Sequence, residues 1–377
     1  MSKLGQRLRS AREALGLTQQ MVEETTGIGA SSLSEFESGK REPRLAQLRS
    51  LADCYRKPLN YFLSEEEPTQ HLVLWRQKPD FPEVARLEAE FQLLVRHYHF
   101  LEVLTGEFSG PCLPFLEKLL RCCPENFTYE TAERLASCIR NQLGFGNCPA
   151  RELLDVVEEK LKVKVFHLEF EPTGSAACAL SEEYGPAILL NAKNSRRRRN
   201  FDLAHELFHL LTWKSFRREK TGSFSPTDQE EKFANCFARN LLVPRDVLLR
   251  WRDPRRLQSE PSPIEIIFGA RYFDVSIEAL VWQMKWVFNL LEDHIERLID
   301  QSKALEGVLL KVESDTPPRR PRRFEELAIQ ALRNGLISVG RFAEFMGISR
   351  NEALKQYTVL LQNTAEETEF PCGISDS

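Results

Sequence analysis

The sequence predicts an α+β chain with an N-terminal five-helix domain, a central domain carrying a small antiparallel sheet, and a helical C-terminal region. Three observations carry that prediction. Apolar residues recur at helical spacing from Leu4 to Leu63, and alternating, hairpin-like patterns occupy residues 163–190. His205-Glu206-Leu207-Phe208-His209 then precedes a second amphipathic helix over residues 230–244. A chain of 377 residues has room for two or three domains with their own cores, and 42% hydrophobic with 28% charged residues is ordinary for a globular protein. No stretch approaches the ~20 apolar residues of a membrane span, and the basic first ten residues lack a secretory apolar core, so no membrane partner is expected. Nine cysteines are scattered, with only Cys122 and Cys123 adjacent and no Cys-x-x-Cys. That argues against a disulfide framework or a cysteine zinc ribbon and makes a reducing cytoplasm the expected compartment.

Leu4, Leu8, Ala11 and Leu15 mark one face of a first helix that ends at Gly16. Thr18 is a fitting N-cap for a second helix, which carries Met21 and Val22 inward and stops at Thr26-Gly27. A third helix over residues 30–37 buries Leu33 and Phe36 and ends at Ser38-Gly39, and two further apolar stretches follow at 45–52 and 59–63. Two helices joined by a tight glycine-containing turn form the helix-turn-helix pattern. With Leu17-Thr18-Gln19, Gly27-Ile28, Ser31, Leu33, Ser34 and the block Glu37-Ser38-Gly39-Lys40-Arg41-Glu42-Pro43, this stretch resembles the Xre/Cro family of repressor DNA-binding domains, with their lambda-repressor-like fold.

The resemblance implies a double-stranded DNA operator as partner, with the third helix in the major groove. Gln19, Gly29, Ala30, Ser31, Ser34 and Glu35 would face DNA, and Lys40 and Arg41 would approach phosphates. Ala30 and Glu35 depart from the long polar or basic side chains common in the family; Glu35 either reads a cytosine amine or repels backbone. Residues 1–63 hold ten Lys/Arg and seven Asp/Glu, a net of +3 (10 − 7), within a chain of net −4 and pI 6.1. So modest an excess leaves affinity leaning on groove geometry and homodimerisation as well as on field. A small bundle docking a protein partner is the alternative, and the Lys40-Arg41 block weighs against it.

Ser64 to Pro68 is a polar, acidic break. From Pro82 to Leu104, Val84, Leu87, Phe91, Leu94, Val95, Tyr98 and Leu101 keep helical period, predicting one long helix. His97 and His99 lie two apart on it, facing different sides, as ordinary histidines do. Residues 129–143 and 149–161 read as helices, 163–170 as a strand, and 175–180 with 187–190 as a hairpin turning at 183–186. A strand edge ahead of a site helix is suited to holding an extended peptide by main-chain hydrogen bonds. Arg196 to Arg199 put four cations at a helix N-terminus against its macrodipole, which calls for acidic partners, a bound anion, or simple solvation.

At ~100° per residue, His205 and His209 share one helix face and can reach one metal ion, while Glu206 sits beside that face, placed to act on water instead. A two-histidine hydrolytic site commonly adds a carboxylate and keeps a position for water. Glu231 supplies it with Asn235 one turn on as a partner to a histidine ring nitrogen; Glu230 and Asp228 are neighbouring alternatives. Arg198, Phe201, Ala204, the His205–His209 motif, Glu231, Ala234-Asn235, Phe237-Ala238, Leu242 and Pro244 together resemble the ImmA/IrrE family of metallopeptidases, over roughly residues 125–290. The resemblance implies a gluzincin-like zinc domain with His205, His209 and Glu231 as ligands, Glu206 as general base, and a protein substrate, a repressor or antitoxin. Phe208 stands where the family usually has Gly, placing bulk near the metal where it could narrow the cleft. Tyr184, Arg239 and Tyr272 are the chemical candidates for an oxyanion donor. A domain that keeps the motif but only senses or binds a ligand is the alternative to a peptidase.

Residues 314–323 are basic and Pro-rich, as a linker is, and 324–333, 338–346 and 349–361 read as three short helices before an acidic tail. The expected organisation is thus 1–66 DNA-binding domain, 67–124 helical connector, 125–300 metal domain, 301–323 linker and 324–377 small helical region.

Overall fold

The computed structural model describes residues 2–57, 59–63, 73–76, 78–80, 82–108, 127–171, 176–181, 183–216, 226–252, 260–309 and 315–358. The acidic break at 64–68, the start of the hairpin at 175 and the tail beyond 362 lie outside them. Five helices come first: α1 (Lys3–Ala14), α2 (Gln19–Thr26), α3 (Ala30–Ser38), α4 (Leu45–Cys54) and α5 (Leu59–Leu63). They enclose a core of their own around Leu8, Val22, Leu33, Phe36, Leu51 and Tyr55. Thr18 caps α2 by accepting from Met21 N, and α2 stops at Gly27 in the left-handed region, φ 72°, a conformation glycine takes without strain. Glu23 Oε2 accepts from Ala30 N at 2.9 Å, so α2 supplies the cap that α3 lacks and the turn between them is locked.

The chain continues through β1 (Val73–Trp75), α6 (Glu83–Leu104), α7 (Tyr129–Leu143), a 3-10 turn at Pro149–Arg151 and α8 (Leu153–Lys160). Then follow β2 (Lys164–Leu168), β3 (Ala176–Ser181), β4 (Gly185–Asn191), α9 (Arg196–Leu211), α10 (Trp213–Phe216), α11 (Asp228–Leu242), α12 (Arg245–Trp251), α13 (Pro263–Phe273), α14 (Ile277–Phe288) and α15 (Glu292–Leu309). Last come α16 (Arg322–Arg333), α17 (Val339–Met346) and a helical stretch at 350–358. The strand order is β1-β3-β4-β2, with β1–β3 and β3–β4 antiparallel and β2–β4 parallel. The sheet is therefore mixed. Its parallel pair is covered on both faces, as such pairs require.

Alternation along the strands divides the sheet between two cores. Leu74, Val165, Ala176, Cys178, Ile188 and Leu190 face the core built on α7, α9 and α11. Trp75, Phe166, Leu168, Ala177, Ala187 and Leu189 face α6, α16 and α17. The long helix α6 buries the apolar set its period predicts, and the C-terminal helices join it as the third layer of one body. Glu102 on α6 ties these layers together, meeting Lys164 of β2 at 2.9 Å and Arg323 of α16 at 2.7 Å.

β1 and β2 are the two edge strands of the sheet. β1 covers β3, and the segment after residue 315 lies along β2, where His167 N donates to Arg319 O at 3.1 Å. Part of the stretch expected as linker thus serves as an edge strap, and residues 301–309 belong to α15, whose Leu298, Ser302 and Leu305 pack inward. Among the described residues no helix is long and apolar enough to cross a membrane.

Candidate metal centre

Helix α9 is the spine of the central core, with every residue from Arg199 to Leu211 buried. Its four-arginine start is compensated one residue at a time. Arg196 meets Asp274 at 2.7 Å, Arg197 meets Glu306 at 2.9 Å, Arg198 meets Asp202 at 3.1 Å and Arg199 meets Asp315 at 2.5 Å. Ser195 caps the same end by accepting from Arg198 N. The opposed macrodipole thus finds the acidic partners it demands, drawn from α9 itself, the α13–α14 turn, α15 and the edge strap.

One helical turn along α9 separates His205 from His209, and their Nε2 atoms lie 3.2 Å apart. Glu231 of α11 faces both, with Oε2 3.1 Å from His205 Nε2 and Oε1 3.3 Å from His209 Nε2. One donor atom from each of the three residues falls within a 4.8 Å cluster. The outer ring nitrogens are held as well: His205 Nδ1 lies 3.1 Å from Asn235 Oδ1 and His209 Nδ1 lies 2.8 Å from Glu230 Oε1. Glu230, an alternative ligand on the sequence, stands behind His209, and Asp228 points to solvent.

Carboxylate and amide oxygens accept, so each Nδ1 carries its proton and each Nε2 presents a lone pair to the shared space. Two lone pairs and a carboxylate facing one another repel unless a metal ion or a proton on one Nε2 lies between them. Tetrahedral zinc with ligands at ~2.1 Å would set them ~3.4 Å apart, close to what is seen.

His205 and Glu206 are 0% exposed and His209 1% exposed. Without a cation, burial pushes the His205 imidazolium down to about 3. Burial opposes charge on His209 too, but the hydrogen bonds with Glu230 and Glu231 outweigh it and raise it to about 9. Burial acts against ionised Glu231, yet the two imidazoles hold it well below the usual carboxylate range. Burial also raises Glu206 to about 7, against the opposing effects of His209 and of a contact with the Cys178 thiol. A carboxyl with an affinity for protons near neutrality, beside a cation site, is what a general base for water requires.

Arg76 is the site residue with no signal in the sequence. Following β1, it donates from Nη1 to buried Asp202 at 2.6 Å and from Nη2 to Asn235 Oδ1 at 3.4 Å, with its guanidinium 5.4 Å from the Phe201 ring centre. Phe208 differs from expectation. Its ring is fully buried against Phe127, Phe216 and Phe237, filling the core beside His209 instead of narrowing a cleft. Of the three oxyanion candidates, Arg239 alone lines the cavity next to Asn235; Tyr184 packs on His99 beyond the sheet and Tyr272 stacks on Trp251.

In the N-terminal domain, Ser31, Ser34 and Glu35 share the exposed face of α3, Lys40 and Arg41 lie exposed beyond its end, and Gly29 and Ala30 are half-buried at its start. Gln19 is not free on that face, because its amide donates to Glu37 Oε2 at 3.0 Å, where Arg12 also binds. Arg41 lies 3.7 Å from Glu35 and offsets the acidic charge on the α3 face.

Residues 158–284 match the peptidase M78 family, described as an IrrE N-terminal-like domain, and residues 8–62 match the helix-turn-helix family. The HTH-type transcriptional regulator ImmR of Bacillus subtilis (strain 168) is 36% identical over 64 residues, 17% of this chain and 50% of ImmR. The chain thus spans about half the length of that curated relative. Among solved structures, Bacillus thuringiensis PlcR in complex with the peptide PapR7 and DNA aligns over 90% of this chain and 100% of PlcR, at 12% identity and a TM-score of 0.17. A score that low carries no argument about fold. Residues 158–284, which hold His205, Glu206, His209 and Glu231, are an IrrE N-terminal-like domain of metallopeptidase type, carried on one chain with a helix-turn-helix domain at residues 8–62.

Proposed function

We propose that the chain is a DNA-binding transcriptional regulator of the cytoplasm whose central domain is a zinc endopeptidase that cleaves a protein, a repressor or antitoxin. The observation that supports it most is the pair of Nε2 lone pairs and the Glu231 carboxylate converging on one space, with both Nδ1 protons held away from it. His205, His209 and Glu231 would hold the ion, and Asn235 and Glu230 would fix the ring tautomers. Bound zinc supplies Lewis acidity at the peptide carbonyl and at water. Glu206 would take the proton of the attacking water and return it to the leaving amine. On the DNA side, Ser31, Ser34 and Glu35 would meet base edges from α3 while Lys40 and Arg41 approach phosphates.

Full burial of Glu206 and His205 favours a second reading, in which the domain binds zinc or a ligand without turnover. One experiment separates the two. Purified wild type and Glu206→Gln are both expected to carry one zinc per chain, and only wild type should cleave repressors encoded beside its gene. Equal biological output from both proteins sinks the peptidase reading. DNA binding is checked by salt dependence of full-length binding to the upstream operator, where a flat response counts against phosphate contacts.

A further inference from the structure

Beside the ligand cluster lies a cavity of about 350 Å³, into which Asn235, the partner of His205, projects together with Arg76, Arg198 and Arg239. Arg76 and Arg198 share the single carboxylate of Asp202, and the lining Glu278 is paired with Lys303. Three guanidiniums thus line the cavity against one lining carboxylate, Glu278, with Asp202 buried behind Arg76 and Arg198. Arg239 makes no direct ion pair among the described residues, Glu133 acting on it only from farther off, and its Nε is buried without a hydrogen-bond partner. Burial opposes its charge. A guanidinium held in such a place costs free energy that an incoming anion recovers. Phe201 and Trp282 complete the wall with apolar surface suited to a short aliphatic stem.

We propose that this cavity is a subsite for a carboxylate of the bound peptide, seated on Arg239 with Arg198 beside it, so that an acidic side chain or a free C-terminus lies next to the scissile bond. The proposal rests on the peptidase reading above. A carboxylate there accepts two charge-assisted hydrogen bonds, which serves specificity, and leaves Glu206 and the ligands to the reacting bond.

The test uses full-length Glu206→Gln protein, zinc-loaded and zinc-free, titrated calorimetrically with three isosteric probes. N-acetyl-glutamyl amide carries only the side-chain carboxylate, N-acetyl-glutamine only the C-terminal one, and N-acetyl-glutaminyl amide neither. At least one acid is expected to bind about tenfold more tightly than the neutral probe, with or without zinc, and which acid does so names the source of the carboxylate. Arg239→Gln should reduce that advantage to less than about threefold, with circular dichroism and zinc content reporting that the fold is kept. Equal binding of all three probes to the parent protein overturns the subsite without recourse to any further variant. So does an advantage seen only with zinc, since the metal itself would then hold the carboxylate. If zinc-loaded wild type cleaves no protein while the Arg239-dependent advantage persists, the peptidase reading fails and the anion site stands. If it cleaves without acidic preference and the probes bind alike, the subsite alone fails.

Discussion

Asn235 and Glu230 would act on a bound metal without touching it. Each accepts the Nδ1 proton of one histidine and so keeps both Nε2 lone pairs turned toward Glu231. Asn235→Ala or Glu230→Ala would let the proton migrate to Nε2, and zinc affinity should fall by roughly ten- to a hundredfold in a chelator competition. Asp228→Ala, which changes an exposed residue, is the control that should leave affinity unaltered. Wild-type affinity in both test variants would mean that the tautomers are fixed by something else. At this scale the sequence was legible where helix phase sufficed: His205, Glu206 and His209 lie within one stretch, and Glu231 with Asn235 repeats the same four-residue step. Phase alone left Glu230 and Glu231 interchangeable, because adjacent carboxylates differ only in which ring nitrogen they reach. Arg76 stayed hidden because it lies 126 positions from Asp202 and nothing local to it reports that pairing.

Strand β2 buries one histidine, His167, and helix α6 half-buries another, His97, each in its neutral form, and this ties their packing to pH. His167 donates from Nδ1 to Pro318 O at 2.9 Å, holding the strap on the sheet edge, and burial pushes its imidazolium down to about 4. His97, packed on Phe345 of α17, is likewise pushed down by burial, to about 3. Above pH ~6.5 both are mostly neutral in folded and unfolded chains, and their burial costs no stability. Between ~6.5 and ~4 the unfolded chain takes up protons that the folded one refuses, so stability falls as pH falls, by at most about 1.4 kcal/mol per unit for each group. Urea midpoints measured from pH 7 to 4.5 should therefore decline, and His97→Gln/His167→Gln should decline less steeply. An identical slope in the double variant would remove both histidines from the account. Element by element, the hairpin and long helices were legible because their periods are local. The three-residue β1 has too little alternation to read, and the parallel β2–β4 pair depends on layers contributed from both ends of the chain.

Taken as a whole molecule, the fold joins β1 and α6 to the C-terminal helices in one core, Glu102 and Arg323 pairing across 221 positions. Phe324, Leu327, Leu332, Phe342 and Phe345 of α16 and α17 close over Phe91, Tyr98, Phe166 and Leu189, burying the sheet face opposite the metal centre. The helix-turn-helix domain shares none of that core, its apolar residues gathering in a cluster of their own. A chain ending after Arg320 keeps the edge strap but uncovers the sheet's outer face. Each large apolar side chain so exposed forfeits ~2 kcal/mol, against a total stability of only about 5–15 kcal/mol. The zinc-dependent unfolding transition should then drop by about 10 °C or more and the truncated chain should bind an apolar dye, since each kcal/mol is worth ~2–4 °C in a body of this size. Operator binding by the first domain should survive the same truncation, because Leu33, Phe36 and the rest of its core pack in a cluster of their own. Scanning calorimetry with and without zinc, run beside operator binding at fixed salt, reads both halves. An unshifted zinc-dependent transition would show that α16 and α17 are accessory to the sheet. Loss of operator binding together with that transition would show instead that the two bodies fold as one.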